Sequence, residues 1–429
     1  MALRALKSAL AVAGAATVSL VLAPAAHAAG WRQPLPQHSA TARPMVGTGN
    51  GSYTGIASTR ALDTRNGVGA VKAPVAAGGT LTVQVLGVGA VPATGVSAVV
   101  LNLAGLNSVK PGYVIGWAST SSRPHTSILN YFAGTAGTSN EVTVAVGTDG
   151  KIALFNGGPA PVQLVADLVG YYADGTPSGG GFGAIDPVRL YDSRTDTAAP
   201  YLQPGDGIAG PVTGQLTATD SVPSDATAVL INLAALNATR PGYVYGYASQ
   251  EPRPHTSVLG YNPGPQAVSN EIVVPVGPDG EVEFDNSPTG AVQLVVDLVG
   301  YFTNDTTPVA GGLIPVNPSR ALDTRPHPVA KGATLTLPLA GTNGIPATGA
   351  TDVVVNVTTL TSTAQGYLIA WPSSDPRPHT SVINFAKAQT ISNEIVLPLG
   401  ANGSVNFYNA AAGSVELIVD VVGYYAAPA

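Results

Sequence analysis

Val162-Gln163-Leu164-Val165-Ala166-Asp167-Leu168-Val169-Gly170-Tyr171-Tyr172 reads as a β-strand, a Val- and Leu-rich run ending on aromatic residues. Successive side chains of a strand point to opposite faces. Both sets are apolar here, so the strand is expected near the centre of a sheet, covered on both sides. The stretch returns as residues 292–302 and 415–425, each time with one carboxylate, Asp167, Asp297 or Asp420. A period of roughly 130 residues is too long for a solenoid rung of about 20 to 50 and fits an autonomous domain.

Upstream of these strands the rest of the unit recurs in order. Each copy opens on Arg60-Ala61-Leu62-Asp63-Thr64-Arg65, Arg189-Leu190-Tyr191-Asp192-Ser193-Arg194 or Arg320-Ala321-Leu322-Asp323-Thr324-Arg325. Later come Arg-Pro-His-Thr-Ser at 123–127, 253–257 and 377–381, then Ser-Asn-Glu at 139–141, 269–271 and 392–394. In the first copy, strand patterns cover 81–86, 98–106, 113–118, 127–131, 141–146 and 152–155, with Gly, Pro, Asn or Asp between them. Thr148-Asp149-Gly150, Pro278-Asp279-Gly280 and Ala401-Asn402-Gly403 are expected to be tight hairpin turns, Gly supplying positive φ. No helical spacing persists beyond a turn, which argues against crossover helices and a parallel sheet. The expected fold is all-β: three tandem antiparallel β-sandwich domains, jelly-roll-like, over 52–173, 184–303 and 313–427. Linkers 174–183 and 304–312 and a polar leader over 30–51 separate them, and linkers of that length permit either a pseudo-threefold cluster or an extended string.

Composition bounds the function. The 429 residues are 45% hydrophobic and 10% charged, with 51 Gly, 36 Pro and no Cys, so the chain has ample surface to bury and little self-repulsion. Its 19 Lys and Arg face 25 Asp and Glu without a basic cluster, which argues against nucleic-acid binding. Arg4 and Lys7, the small-apolar run 9–23 and Ala26-His27-Ala28 make a signal peptide over residues 1–29, so the protein is expected to be secreted, with no membrane span in the mature chain. Without disulfides, each domain must hold through its own core.

Chemistry, if any, sits in the repeated charged and aromatic sets. Asp167, Asp297 or Asp420 on a core strand costs several kcal/mol unless paired. A structural network tying first strand to last is therefore expected from Asp63, Arg65 and Asp167, from Asp192, Arg194 and Asp297, and from Asp323, Arg325 and Asp420. Arg65 or Arg123 is the expected partner of Asp167. The ligand-binding candidates are the aromatic pairs Tyr113 and Trp117, Tyr243 and Tyr247, Tyr367 and Trp371, expected to share a strand face where sugar rings stack. With them go Arg123 and His125, Arg253 and His255, Arg377 and His379, which offer hydrogen-bond donors from a Pro-held loop. Catalysis fits less well. No Gly-x-Ser-x-Gly elbow supports Ser127, His125 and Asp63 as a triad, and Glu141 with Asp167 as a glycosidase pair would demand three active sites in tandem. One His per motif and no Cys leave no zinc site, and no motif indicates a cofactor.

Taken jointly, Leu-Asp-Thr-Arg, Pro-Gly-Tyr, Arg-Pro, Ser-Asn-Glu and Val-Asp-(Leu/Val)-Val-Gly-Tyr-(Tyr/Phe) resemble a module common in secreted proteins of Streptomyces and other actinobacteria, over nearly all of residues 56–425. The resemblance implies an exported actinobacterial protein, such modules often standing beside enzymes active on cell wall or polysaccharide. This chain departs from that association in having no recognisable enzyme domain. Its second copy departs internally, with Tyr191-Asp192-Ser193-Arg194 and with Gly260 where the others have Asn130 and Asn384. The resulting expectation is a secreted, non-enzymatic, cell-surface or extracellular binding protein that recognises polysaccharide or cell-wall glycan. The alternatives are an envelope component that binds a protein partner and keeps its Arg/Asp sets internal, or a secreted hydrolase.

Overall fold

Runs of Val, Leu, Ile and Tyr punctuated by Gly and Pro give eight principal strands in every repeat and no α-helix among the described residues. The computed structural model describes residue 31 and residues 51–134, 137–174, 181–196, 200–216, 221–264, 267–287, 289–303 and 311–426. The expected signal peptide, most of the leader, residues 175–180 of the first linker and residues 304–310 of the second lie outside the described residues.

Repeat 1 comprises β1 (Tyr53–Asp63), β2 (Thr80–Gln84), β3 (Val96–Leu106), β4 (Gly112–Ala118), β5 (Leu129–Tyr131), β6 (Thr138–Ala145), β7 (Lys151–Asn156) and β8 (Gln163–Ala173). Repeat 2 comprises β9 (Phe182–Asp192), β10 (Gly207–Pro211), the short β11 (Gly214–Gln215) and β12 (Ser221–Val222), β13 (Ala226–Leu236), β14 (Gly242–Ala248), β15 (Leu259–Tyr261), β16 (Val268–Pro275), β17 (Glu281–Asn286) and β18 (Gln293–Thr303). Repeat 3 comprises β19 (Leu313–Asp323), β20 (Thr334–Pro338), β21 (Ala350–Leu360), β22 (Gly366–Pro372), β23 (Ile383–Phe385), β24 (Ile391–Pro398), β25 (Ser404–Asn409) and β26 (Glu416–Ala426).

The pairing interleaves. In repeat 1 one sheet runs β1-β8-β3-β6 and the other β2-β7-β4-β5, and both other repeats follow the same scheme, giving six four-stranded antiparallel sheets among the described residues. Leu62, Leu101, Val142 and Leu168 from the first sheet and Val83, Val114, Leu129 and Leu154 from the second form one core. Each such side chain contributes about 1.5–3 kcal/mol on burial. The strand quoted first, β8, is an interior strand between β1 and β3, with one face on this core.

Its other face explains the two-sided apolar pattern. Tyr172 and Val100 of repeat 1, Leu230 and Phe302 of repeat 2, and Val354 and Tyr425 of repeat 3 join a single buried cluster that all three repeats share. Tyr53 lies 4.7 Å from Phe302 and Phe182 lies 5.0 Å from Tyr425, ring centroid to centroid, and the hydroxyls of Tyr172 and Tyr425 are 2.7 Å apart.

Hydrogen bonds close the same ring. The Glu141 N–H donates to Asn270 Oδ1 at 3.1 Å, Glu271 N–H to Asn393 Oδ1 at 3.0 Å, and Glu394 N–H to Asn140 Oδ1 at 3.3 Å. Repeat 1 thus bonds to 2, 2 to 3, and 3 back to 1. The arrangement is pseudo-threefold: of the cluster and the extended string that the linkers permit, the chain adopts the cluster. The inner faces of the first sheets are too apolar to stay in water, and closing the ring buries all three together.

A correction concerns the expected hairpins. Gly150, Gly280 and Gly403 do take positive φ, at 77°, 81° and 71°. The turn at 147–150 nevertheless joins strands of different sheets, since β6 pairs with β3 whereas β7 pairs with β2 and β4. It is a corner from one sheet to the other.

Each repeat is also tied by one Asn at the end of its seventh principal strand. Asn156 Nδ2 donates to the carbonyls of Val75, Ala76 and Ala160, while its Oδ1 accepts from Tyr131 Oη and the Gly158 N–H. Asn286 and Asn409 make the matching donations. Asn156→Ala strands several buried polar groups at once and is expected to cost roughly 3 kcal/mol or more, measured by urea unfolding.

Candidate functional site

The first motif is fixed by strand register. On β1, Arg60 lies opposite Asp167 of β8. The guanidinium grips that carboxylate with two bonds, Nε to Oδ1 at 2.7 Å and Nη2 to Oδ2 at 3.0 Å. Arg320 holds Asp420 in the same way at 2.8 and 3.2 Å, and Arg189 holds Asp297. The expected partners Arg65 and Arg123 are therefore corrected. Arg65 instead binds Asp63 at 2.9 and 2.8 Å, Arg194 binds Asp192, and Arg325 binds Asp323. Arg60, Arg189 and Arg320, absent from the expected network, are its centre. Their signal was in the motif: an Arg in the same strand run as the Asp, and so in reach of the facing strand.

Arg65 and Arg325 hold the Asp63 and Asp323 carboxyls down to about 2. Burial pushes the Asp297 and Asp420 carboxyls up, against the pull of Arg189 and Arg320.

The aromatic pairs are split. Tyr113, Tyr243 and Tyr367 are about two-fifths exposed, while Trp117, Tyr247 and Trp371 are buried. The Trp117 Nε1–H donates to the Ser121 carbonyl at 3.1 Å, that of Trp371 to Asp375 at 3.0 Å, and Tyr247 Oη to Asp285 at 2.9 Å. The expected stacking platform of paired rings is thus corrected to one exposed tyrosine per repeat. In repeats 1 and 3 the loop after the strand gives the buried indole N–H the partner it needs on leaving water, whereas in repeat 2 the Tyr247 hydroxyl finds Asp285 on β17.

Arg-Pro-His-Thr-Ser follows in the same loop. The Arg123 guanidinium sits 3.9 Å above the Phe155 ring and that of Arg377 3.9 Å above Tyr408, while Arg253 lies 4.8 Å from Tyr245 and 3.6 Å from Asp285. These arginines and His125, His255 and His379 are exposed. The loops end on the joints between repeats: Asn102 Nδ2 donates to the Ser257 carbonyl, Asn232 to Ser381 at 2.6 Å and Asn356 to Ser127 at 2.6 Å.

Each joint opens outward as a cleft. The 3/1 cleft, of about 470 Å³, brings Tyr113, Arg123 and His125 of repeat 1 against Arg320 and Arg325 of repeat 3, whose guanidiniums are paired with Asp420 and Asp323. The 1/2 cleft, of about 850 Å³, sets Arg253, His255 and Tyr247 against Arg60. At the 2/3 joint a cleft of about 480 Å³ is lined by Trp371 and Ser381 and lacks Arg377 and His379.

At the axis the three Ser-Asn-Glu segments meet, which no local pattern in the sequence marks. Glu141, Glu271 and Glu394 are fully buried around a cavity of about 30 Å³, and each Oε1 accepts a backbone N–H of the neighbouring repeat at 2.7 Å, from Val273, Val396 and Thr143. Burial drives all three carboxyls up to about 8, and like charge adds for Glu141 and Glu271. Glu141 lies across Asn102 from Asp167 in the sheet, and it faces the axis, where it makes a joint between repeats. No group of three or more metal-ligating side chains occurs among the described residues, nor a helix long and apolar enough to cross a membrane.

The fold and site together define an all-β chain of three repeats closed into a pseudo-threefold ring with clefts at its joints. No family model matches the chain, and no curated protein does. Among solved structures, similarity is recorded to the atomic structure of Sulfolobus turreted icosahedral virus, at 10% identity over 83% of this chain and 86% of that one, TM-score 0.17. A triple jelly roll fold of an archaeal virus turret matches at 12% identity over 89% and 92%, TM-score 0.16. The infectious bursal disease virus VP2 subviral particle matches at 9% identity over 92% and 84%, TM-score 0.16.

Proposed function

We propose that this is an exported, non-enzymatic binding protein whose ligand sites are the clefts between repeats, and that the ligand is a polysaccharide or cell-wall glycan carrying acidic groups. Each repeat, with its 1-8-3-6 sheet laid on its 2-7-4-5 sheet, is read as a jelly-roll-like sandwich that serves as one wall of two clefts. The observation that carries the reading is the 3/1 cleft, where exposed Tyr113, Arg123 and His125 meet Arg320 and Arg325. A tyrosine face for a sugar ring beside the exposed Arg123 guanidinium for a carboxylate or phosphate supports recognition of an anionic glycan, Arg320 and Arg325 being held in place by Asp420 and Asp323. The buried Arg–Asp pairs also support an envelope component that binds a protein partner.

The test is a pull-down on insoluble polysaccharides and actinobacterial walls, comparing the protein with a variant carrying Arg123→Ala, Arg253→Ala and Arg377→Ala. Binding is expected to fall at least tenfold in the variant at unchanged melting temperature, and in the native protein to weaken with added salt. Equal binding by both proteins, or binding indifferent to salt, sinks the glycan reading.

A further inference from the structure

Trp31 belongs to a stretch read from sequence as leader, yet it is 2% exposed and sits in the core of repeat 2. Its ring stacks on Phe284, with centroids 6.2 Å apart and planes 12° from parallel, and lies 5.7 Å from Tyr191. The space it fills comes from a missing side chain. Gly210 on β10 pairs with Val282, as Val83 pairs with Ile152 in repeat 1 and Leu337 with Val405 in repeat 3. Val83 and Leu337 are buried in their own cores. At Gly210 a Cβ would stand 2.3 Å from the Trp31 ring, so no side chain fits there while the indole is in place.

We propose that repeat 2 carries an indole-binding slot, roofed by Tyr191 and Phe284 and floored by Gly210, and that Trp31 is its tethered ligand. The buried core residues of repeats 1 and 3 all come from those repeats themselves, whereas the core of repeat 2 also takes Trp31, from a part of the chain that precedes repeat 1. The occupant is therefore separable from the slot. When Trp31 is removed, the slot accepts a free indole or the tryptophan side chain of a peptide, because a dry apolar cavity of that shape gains contacts only by being refilled.

The test uses the full-length mature protein. Trp31→Ala is expected to lower the melting temperature by about 5 °C or more. Indole or N-acetyltryptophanamide should restore it saturably, with no effect of either on the native protein. In Trp31→Ala/Gly210→Val, the new side chain replaces the indole as Val83 does in repeat 1, so stability should recover and the response to indole should vanish. If Trp31→Ala does not fold, the double variant carries the test, and its failure to fold as well overturns the proposal. So does an unchanged melting temperature in Trp31→Ala, or a loss that neither indole nor Gly210→Val repairs.

Discussion

Replacing Glu141, Glu271 and Glu394 together by Gln is expected to stabilise the protein at pH 8 and to flatten its stability between pH 5 and 8. In the folded ring these carboxyls titrate at about 8, against 4.5 when free. Between those values the folded state holds protons that the unfolded chain has released, so stability falls as pH rises, by up to about 1.4 kcal/mol per pH unit for each carboxyl. At the acid end the sign reverses. Asp63 and Asp323, held at about 2 against 3.8, contribute stability that is lost as pH drops from about 4 towards 2. The native protein should therefore be most stable near pH 4 to 5, read from melting temperatures across pH 2 to 9. Gln keeps the oxygen that accepts the neighbouring repeat's N–H and removes the ionisable group. Ala removes both and should destabilise at every pH. A Gln variant that tracks the native profile would show that the axis carboxyls do not set it.

The second large effect is expected at the buried ion pair. Arg60→Met leaves the Asp167 carboxylate, 5% exposed, without its two-bond partner, and should cost about 3 kcal/mol, the low end for breaking such a pair because Arg60 itself stays about one-third exposed. Asp167→Asn alone leaves a partly exposed cation and should cost less. The double variant Arg60→Met/Asp167→Asn removes both charges and should recover much of the loss, as a double-mutant cycle by urea unfolding would report. Additive losses would mean that the pair is not coupled and that each residue is held by other contacts.

Much of this was legible in the residues. The strand runs, the interior position of β8 and the positive φ of Gly150 follow from local chemistry, which is carried by side chains a few positions apart. The ion-pair network was legible as a set but not as pairs, because Asp167 meets Arg60 only through the β1/β8 register. The Tyr113 and Trp117 pair shows the same limit: spacing places both residues on one strand, and only the loop after the strand decides that one ring is wet and the other dry. Nothing local marked the corner at Gly150 as a change of sheet.

By itself, then, the sequence determined three copies of an all-β unit with its strands, turns and charged sets, since period, apolar pattern and turn residues are short-range properties. The tertiary structure alone decided that the copies close on one another, that Ser-Asn-Glu forms the joint, that the Arg-Pro-His loops flank clefts, and that Trp31 completes repeat 2. Each of these joins residues more than about a hundred positions apart. Such contacts are chosen by which apolar faces and buried polar groups must be satisfied together once the whole chain has folded.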